Sequence, residues 1–165
     1  MLDHARFLAM TIEQARAAAA EDCTPVGSVI VDASGEVVSV DRNRTIPLGD
    51  PTAHAEVMAI RSAGRPLLPG GTPTFTLYSS GEPCLMCLGL VLLSPISTVV
   101  WAAGPIVVAG SAFDAVARSG FSRERVEALE VIREPVPEAR TESRRILFDF
   151  FTAHGDHARA AIVRD

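Results

Sequence analysis

Lysine is missing from this 165-residue sequence, so all fifteen of its basic residues are arginine. Against twenty acids they leave a net charge of −5. An acidic chain without a basic tail lacks the electrostatic footprint of a nucleic-acid binder, so a polyanionic partner is not expected. Cysteine is scarce too. Cys23, Cys84 and Cys87 are an odd set that cannot build a disulfide framework; in a cytosolic chain, close cysteines are metal ligands or reactive thiols. The apolar run from Leu88 to Leu93 stops at Ser94 and Pro95, well short of the roughly 20 residues that span a bilayer. The opening Met-Leu-Asp-His is not the basic start of a secretory signal. The expected location is the cytoplasm, with no membrane partner.

What is present is ordinary for a globular protein. Apolar residues make up 48% and charged residues 21%, which excludes disorder and collagen-like structure. The length suits one domain, 1–165, with no repeat, linker or low-complexity segment. Leu8, Ile12, Ala15 and Ala19 recur at helical spacing. Pro25 and Gly27 end that helix, and Val26 to Val31 and Glu36 to Val40 read as two arms of a hairpin about the turn Asp32–Gly35. Residues 43–51 read as an irregular loop. Thr52 is the expected N-cap of a helix that holds Val57, Met58 and Ile60 and stops near Gly64 and Pro66. Thr74 to Tyr78 is a strand, Cys84 to Leu93 a helix opened by Pro83, and Thr98 to Trp101 a strand. A Gly- and Val-rich loop follows from Gly104 to Gly110. Glu127 to Ile132 is a strand candidate and Glu138 to Phe151 a final helix. Strand–helix–strand pieces require a parallel crossover. The expected fold is therefore α/β, a three-layer α/β/α sandwich around a mixed sheet.

Two stretches carry chemistry: Pro51-Thr52-Ala53-His54-Ala55-Glu56 and Glu82-Pro83-Cys84-Leu85-Met86-Cys87. Cysteines three apart at a helix start lie on one face, and the helix N-terminus favours the thiolates that zinc requires. His54, at the start of another helix, supplies a third ligand. Structural zinc normally has four protein ligands, whereas catalytic zinc has three and an open position. No second cysteine pair exists, and Cys23 reads as a small buried apolar residue. Glu56, two residues beyond His54, is the group to move protons beside a metal-activated water.

These residues resemble the zinc-dependent cytidine and nucleobase deaminase superfamily, whose signature is H-x-E followed by P-C-x-x-C. Pro25-Val26-Gly27, Asn43, Asp50 to Glu56 and Glu82 to Gly89 are similar to its guanine deaminase and transfer-RNA adenosine deaminase branch, over roughly residues 5 to 102. The resemblance implies a cytidine deaminase-like fold, a zinc cofactor on His54, Cys84 and Cys87, and a dimer formed through the Cys84–Leu93 region. That helix is apolar nearly all round, which implies burial on every side. It also implies hydrolytic deamination: a water activated on zinc attacks the amidine-like carbon, Glu56 carries a proton to the departing amine, and ammonia leaves.

The substrate is read from other residues. Transfer-RNA enzymes of the branch carry a charged loop after the fourth strand; here Trp101 to Ser111 has no charge. A small nucleobase or nucleoside is favoured, guanine or a related aminopurine first, with Val26, Asn43, Ala55 and Asp114 as candidate contacts. The alternatives are a transfer-RNA adenosine-to-inosine deaminase, a cytosine, cytidine or aminotriazine deaminase, and, from another class, a structural zinc-binding protein. Each residue also has a plainer reading. Cys84 and Cys87 can be core residues, Glu56 a first-turn acid, Asn43 a turn former. His154, Asp156 and His157 read as a solvated tail.

Overall fold

The computed structural model describes residues 2–72, 74–106, 110–120 and 122–164. Helix α1 (His4–Ala20) opens on Asp3, whose carboxylate accepts the Arg6 N–H at 3.0 Å. Strands β1 (Gly27–Val31) and β2 (Val37–Arg42) form the expected hairpin. Its turn is closed by Asp32 Oδ1, which accepts from the Ser34 and Glu36 N–H groups, and by Gly35 at φ +86°. The remaining elements are α2 (Thr45–Leu48), α3 (Ala55–Ala63), β3 (Phe75–Gly81), α4 (Leu85–Leu93), β4 (Ile96–Ala103), α5 (Ala112–Ser119), α6 (Arg123–Ala128), β5 (Glu130–Arg133), α7 (Pro137–Ala153) and α8 (His157–Val163).

The sheet is mixed, with strand order β2-β1-β3-β4-β5. β1 runs antiparallel to both β2 and β3, while β3–β4 and β4–β5 are parallel. Alternation along the strands sorts the core into two layers. Ile30, Leu77, Val99 and Trp101 pack with Ala59 and Ile60 of α3 and Val91 and Leu92 of α4. Val29, Val31, Tyr78, Val100 and Ala102 pack with Phe7 and Leu8 of α1 and Ala139 of α7. Every residue of β1 is buried, as a strand covered on both faces requires. The α/β/α sandwich follows from this sorting.

Several boundaries differ from expectation, each for a local reason. The Thr52 N–H and hydroxyl donate to Asp50 Oδ1 at 2.8 and 2.7 Å. With its side chain so engaged, the helix cap falls to His54 instead. The 43–51 loop contains the short helix α2, started by Asn43 and ended by Gly49 at φ +59°. The strand expected over Glu127–Ile132 is shifted to Glu130–Arg133, and α6 occupies Arg123–Ala128. There the Arg125 guanidinium donates to the carbonyls of Leu92, Ser94 and Ile96, tying α6 to the α4–β4 corner. The tail read as solvated forms α8, with Ala160 and Val163 packed among Leu147 and Phe151. His154 stacks on Phe150, and Asp156 caps α8; with His157 they do not assemble a metal cluster among the described residues. Leu85, Met86 and Leu93 of α4 are exposed, the part of its apolar surface that the sheet does not cover. No helix among the described residues is long and apolar enough to cross a membrane.

Gly27 marks the tightest junction between the α1 layer and the sheet. A Cβ there would stand 2.2 Å from the Thr11 carbonyl oxygen and 2.5 Å from Gln14 Cβ. Forcing a helix off a strand costs about 1–3 kcal/mol or more. Gly27→Ala is expected to lower Tm by several degrees in a thermal melt; an unchanged Tm would show that α1 yields freely.

Candidate active site

Both signature stretches end at helix N-termini. His54 is the residue before α3 and Cys84 the residue before α4; both are extended, at φ −69°, ψ 158° and φ −71°, ψ 172°. Cys87 lies inside the first turn of α4, on the same side as Cys84. Because His54 is extended and not helical, its direction is set by the cap and not by a rotation along the helix. α3 and α4 pack together through Ala59, Ile60, Val91 and Leu92, which brings the two N-termini side by side.

The result is a compact triangle. Cys84 Sγ lies 3.6 Å from Cys87 Sγ and 3.6 Å from His54 Nδ1, and Cys87 Sγ lies 3.7 Å from His54 Nδ1. Tetrahedral zinc with bonds of about 2.3 Å to sulfur and about 2.0–2.1 Å to nitrogen needs edges of about 3.6–3.8 Å. The donor set and its spacing therefore fit zinc. These three are the residues that could hold a metal among those described. Cys23 is fully buried and away from them.

The charges are poised for a cation. The hydrogen bond from the Cys87 thiol, with His54 beside it, pulls the Cys84 thiol down to about 4. The Cys84 thiolate, burial and Glu56 hold the Cys87 thiol protonated. Cys84 raises His54 in turn. A metal entering this site displaces the Cys87 proton, so binding weakens as pH falls.

Glu56, in the first turn of α3, is buried. Its Oε1 accepts from the Ser79 hydroxyl at 3.2 Å, and its Oε2 lies 3.3 Å from Cys87 Sγ. Burial lifts its pKa above the ordinary carboxylate range, which suits a group that both takes and gives a proton near neutrality.

A cavity of about 310 Å³ opens over this cluster, lined by Thr24, Val26, Asn43, Thr45, Pro51, His54, Ala55, Glu56, Glu82, Cys84, Ile106 and Arg159. Its size is at the small end for ligand pockets. Val26, Asn43 and Ala55 are thus brought together with the metal cluster as expected from the sequence. Asn43 plays both of its readings at once. Its Oδ1 accepts from the Thr45 N–H and hydroxyl at 3.0 and 2.9 Å, while the amide N–H donors take no part in that turn.

Asp114 is the exception. It sits in the first turn of α5 and its carboxylate is taken by Arg133, at 2.5 and 3.3 Å; it does not line the cavity. Ile106, Thr45, Glu82 and Arg159 do line it and were not anticipated. Ile106 belongs to an apolar segment with no periodic signal, and Arg159 to the tail read as solvated. Val107, Val108 and Ala109, part of the uncharged segment, lie outside the described residues.

An α/β/α sandwich that brings a histidine and two cysteines together beside a buried glutamate has the donor set of a metal site with an acid–base group next to it. Residues 1–103 match the family described as the cytidine and deoxycytidylate deaminase zinc-binding region, and the chain belongs to that family. Among curated relatives, it is 39% identical over 97 residues to the tRNA-specific adenosine deaminase of Aquifex aeolicus, covering 59% of this chain and 64% of that protein. It is 40% identical over 90 residues to the guanine deaminase of Bacillus subtilis, covering 54% of this chain and 57% of that protein. A solved structure from a study of A-to-I editing by tRNA:A34 deaminases superposes with a TM-score of 0.70 at 33% identity, over 87% of this chain and 99% of that one.

Two substitutions separate metal binding from catalysis. Cys87→Ala is expected to lose zinc by elemental analysis, since two ligands remain of three. Glu56→Gln is expected to keep zinc and fold but lose about 10²–10⁴-fold in turnover. A fully zinc-loaded Cys87→Ala variant, or wild-type turnover in Glu56→Gln, would overturn the assigned roles.

Proposed function

We propose that this chain hydrolytically deaminates a small free nucleobase or nucleoside, with guanine the leading substrate, and that it does not act on transfer RNA. Zinc on His54, Cys84 and Cys87 would supply a water of lowered pKa. Glu56 takes the proton of that water and delivers it to the departing amine, held in place by the Ser79 hydroxyl. Val26, Ala55 and Ile106 form an apolar slot for a flat ring, and Asn43 and Thr45 offer polar contacts at its edge. Ammonia is the second product.

The observation that supports a small substrate is how the arginines near the C-terminus are used. Arg140 pairs with Glu134 at 3.0 Å, Arg145 with Glu142 and Asp149 at 2.7 and 3.3 Å, and Arg159 with Asp156 at 3.4 Å. Arg144 donates to the Gly104 carbonyl at 2.8 Å. Over residues 121–165 eight Arg face nine acids, a balance of −1. A phosphate backbone needs clustered positive charge, and its binding weakens steeply with salt. The relatives favour a second reading, transfer-RNA adenosine deamination, because several of them are named for it.

A direct assay separates the two. Zinc-loaded protein is incubated separately with guanine, adenine, cytosine, their nucleosides and an adenosine-containing anticodon stem-loop. Ammonia release from a free base or nucleoside is expected, guanine foremost. Inosine in the stem-loop, with no ammonia from any small molecule, would establish the second reading instead.

A second copy of the chain is the proposed partner of α4. Leu85, Met86 and Leu93 lie 58%, 40% and 65% exposed on this one helix, and a second copy would remove them from water. Light scattering is expected to give a dimer mass at micromolar concentration and a monomer for Leu93→Glu; a monomeric wild type would remove the proposal.

A further inference from the structure

Glu82 precedes Pro83 and Cys84, yet its side chain turns away from the metal cluster toward the segment after β4. It is 7% exposed. Its Oε1 accepts from the Ser111 hydroxyl at 2.5 Å and from the Phe113 N–H at 3.2 Å. Both donors belong to the start of α5, where a carboxylate also meets the positive end of the helix dipole. Its own N–H donates to the Ala103 carbonyl at 2.7 Å, at the end of β4. The neighbouring Gly104 packs so closely that a Cβ there would lie 2.8 Å from Glu82 Oε2.

Between these two anchor points lies Ile106, which forms one wall of the cavity over the metal cluster. Ile106 sits where Gly81 leaves room, since a Cβ on Gly81 would be 2.4 Å from Ile106 Cδ1. It packs with Val26 and Ala55, the other apolar lining residues. A second cavity of about 250 Å³, mostly apolar, shares Glu82, Cys84 and Ile106 with the first. Ile106 is itself buried at the boundary of the two cavities.

We infer that Glu82 is a positioning residue: its carboxylate pins the start of α5 to the corner that carries Cys84, beside the Ile106 wall. The inference rests on the deaminase reading of the site. It assigns Glu82 to the width of the substrate slot and not to zinc binding or proton transfer. The distances separate these roles, because Glu82 contacts α5 while Glu56 contacts Cys87.

The two variants Glu82→Ala and Glu82→Gln test it. Both accepted hydrogen bonds end on one oxygen, so glutamine retains them with its carbonyl, whereas alanine loses them. Trp101, the one tryptophan of the chain, has its Nε1 about as close to Gly104 as Glu82 does, 3.1 Å from a Cβ placed there, and its emission reports on the segment without any substrate. Glu82→Ala is expected to keep zinc, to shift Trp101 emission and to speed hydrogen exchange at the Phe113 amide. With the best small substrate it should raise KM on the order of tenfold while kcat changes less. Glu82→Gln is expected to restore all of these. Wild-type Phe113 exchange and wild-type KM in Glu82→Ala, or a Glu82→Gln variant as impaired as the alanine, would overturn the inference. Should Glu82→Ala fail to fold, Ser111→Ala removes one of the two donors and is read the same way. A wild-type protein with no activity on any substrate would sink the deaminase reading, while exchange and emission would still decide the role of Glu82.

Discussion

The site depends on two helix N-termini brought side by side. α3 and α4 pack their Ala59, Ile60, Val91 and Leu92 against the same face of the sheet, and this alone brings residues 54 and 84 within reach of each other. Each helix end leaves backbone N–H groups without intrahelical partners and a positive potential. Such a place favours the anionic form of a cysteine, and Cys84 is held ionised there, chiefly by its hydrogen bond from Cys87. Three ligand atoms spaced 3.6–3.7 Å apart share one proton-rich cluster, and a bound cation would displace the Cys87 proton. Metal and fold would then be coupled through this one contact between helices.

The same packing explains why Glu56 can differ so much from an ordinary surface glutamate. It shares the first turn of α3 with the metal ligand's cap position, yet it points into the core, against Ser79 of β3 and Cys87 of α4. Burial keeps it protonated to higher pH than a solvated carboxylate. A neighbouring thiolate reinforces that direction. The raised pKa of Glu56 is thus a property of where the sheet places the first turn of α3, and not of the glutamate itself.

The rest of the cavity lining comes from the other half of the molecule. Ile106, beyond β4, forms one wall of the cavity, Ser111 and Phe113 at the start of α5 bond Glu82, and α8 brings Arg159 to the rim. The family match ends at residue 103, where this part begins.

The sequence by itself determined the three candidate metal ligands, the acid beside them and the alternation of strands and helices around them. Those features are written in short-range chemistry: cysteines three apart after a proline, a histidine and a glutamate two apart, apolar residues at period two or near four. It also placed Val26, Asn43 and Ala55 beside the site, since they flank those motifs. Tertiary structure decided the rest. Asp114 looked like a pocket acid but meets Arg133, because α5 turns it to the opposite partner. Thr52 looked like a cap but is claimed by Asp50, which moves the cap to His54 itself. Arg125 holds α6 through carbonyls some thirty residues earlier in the chain, a cause no local pattern contains. Glu82, Ile106 and Arg159 reach the cavity from three separate elements. Contacts between residues far apart in sequence depend on how helices settle on the sheet, and hydrophobic periodicity says which face packs but not what it meets.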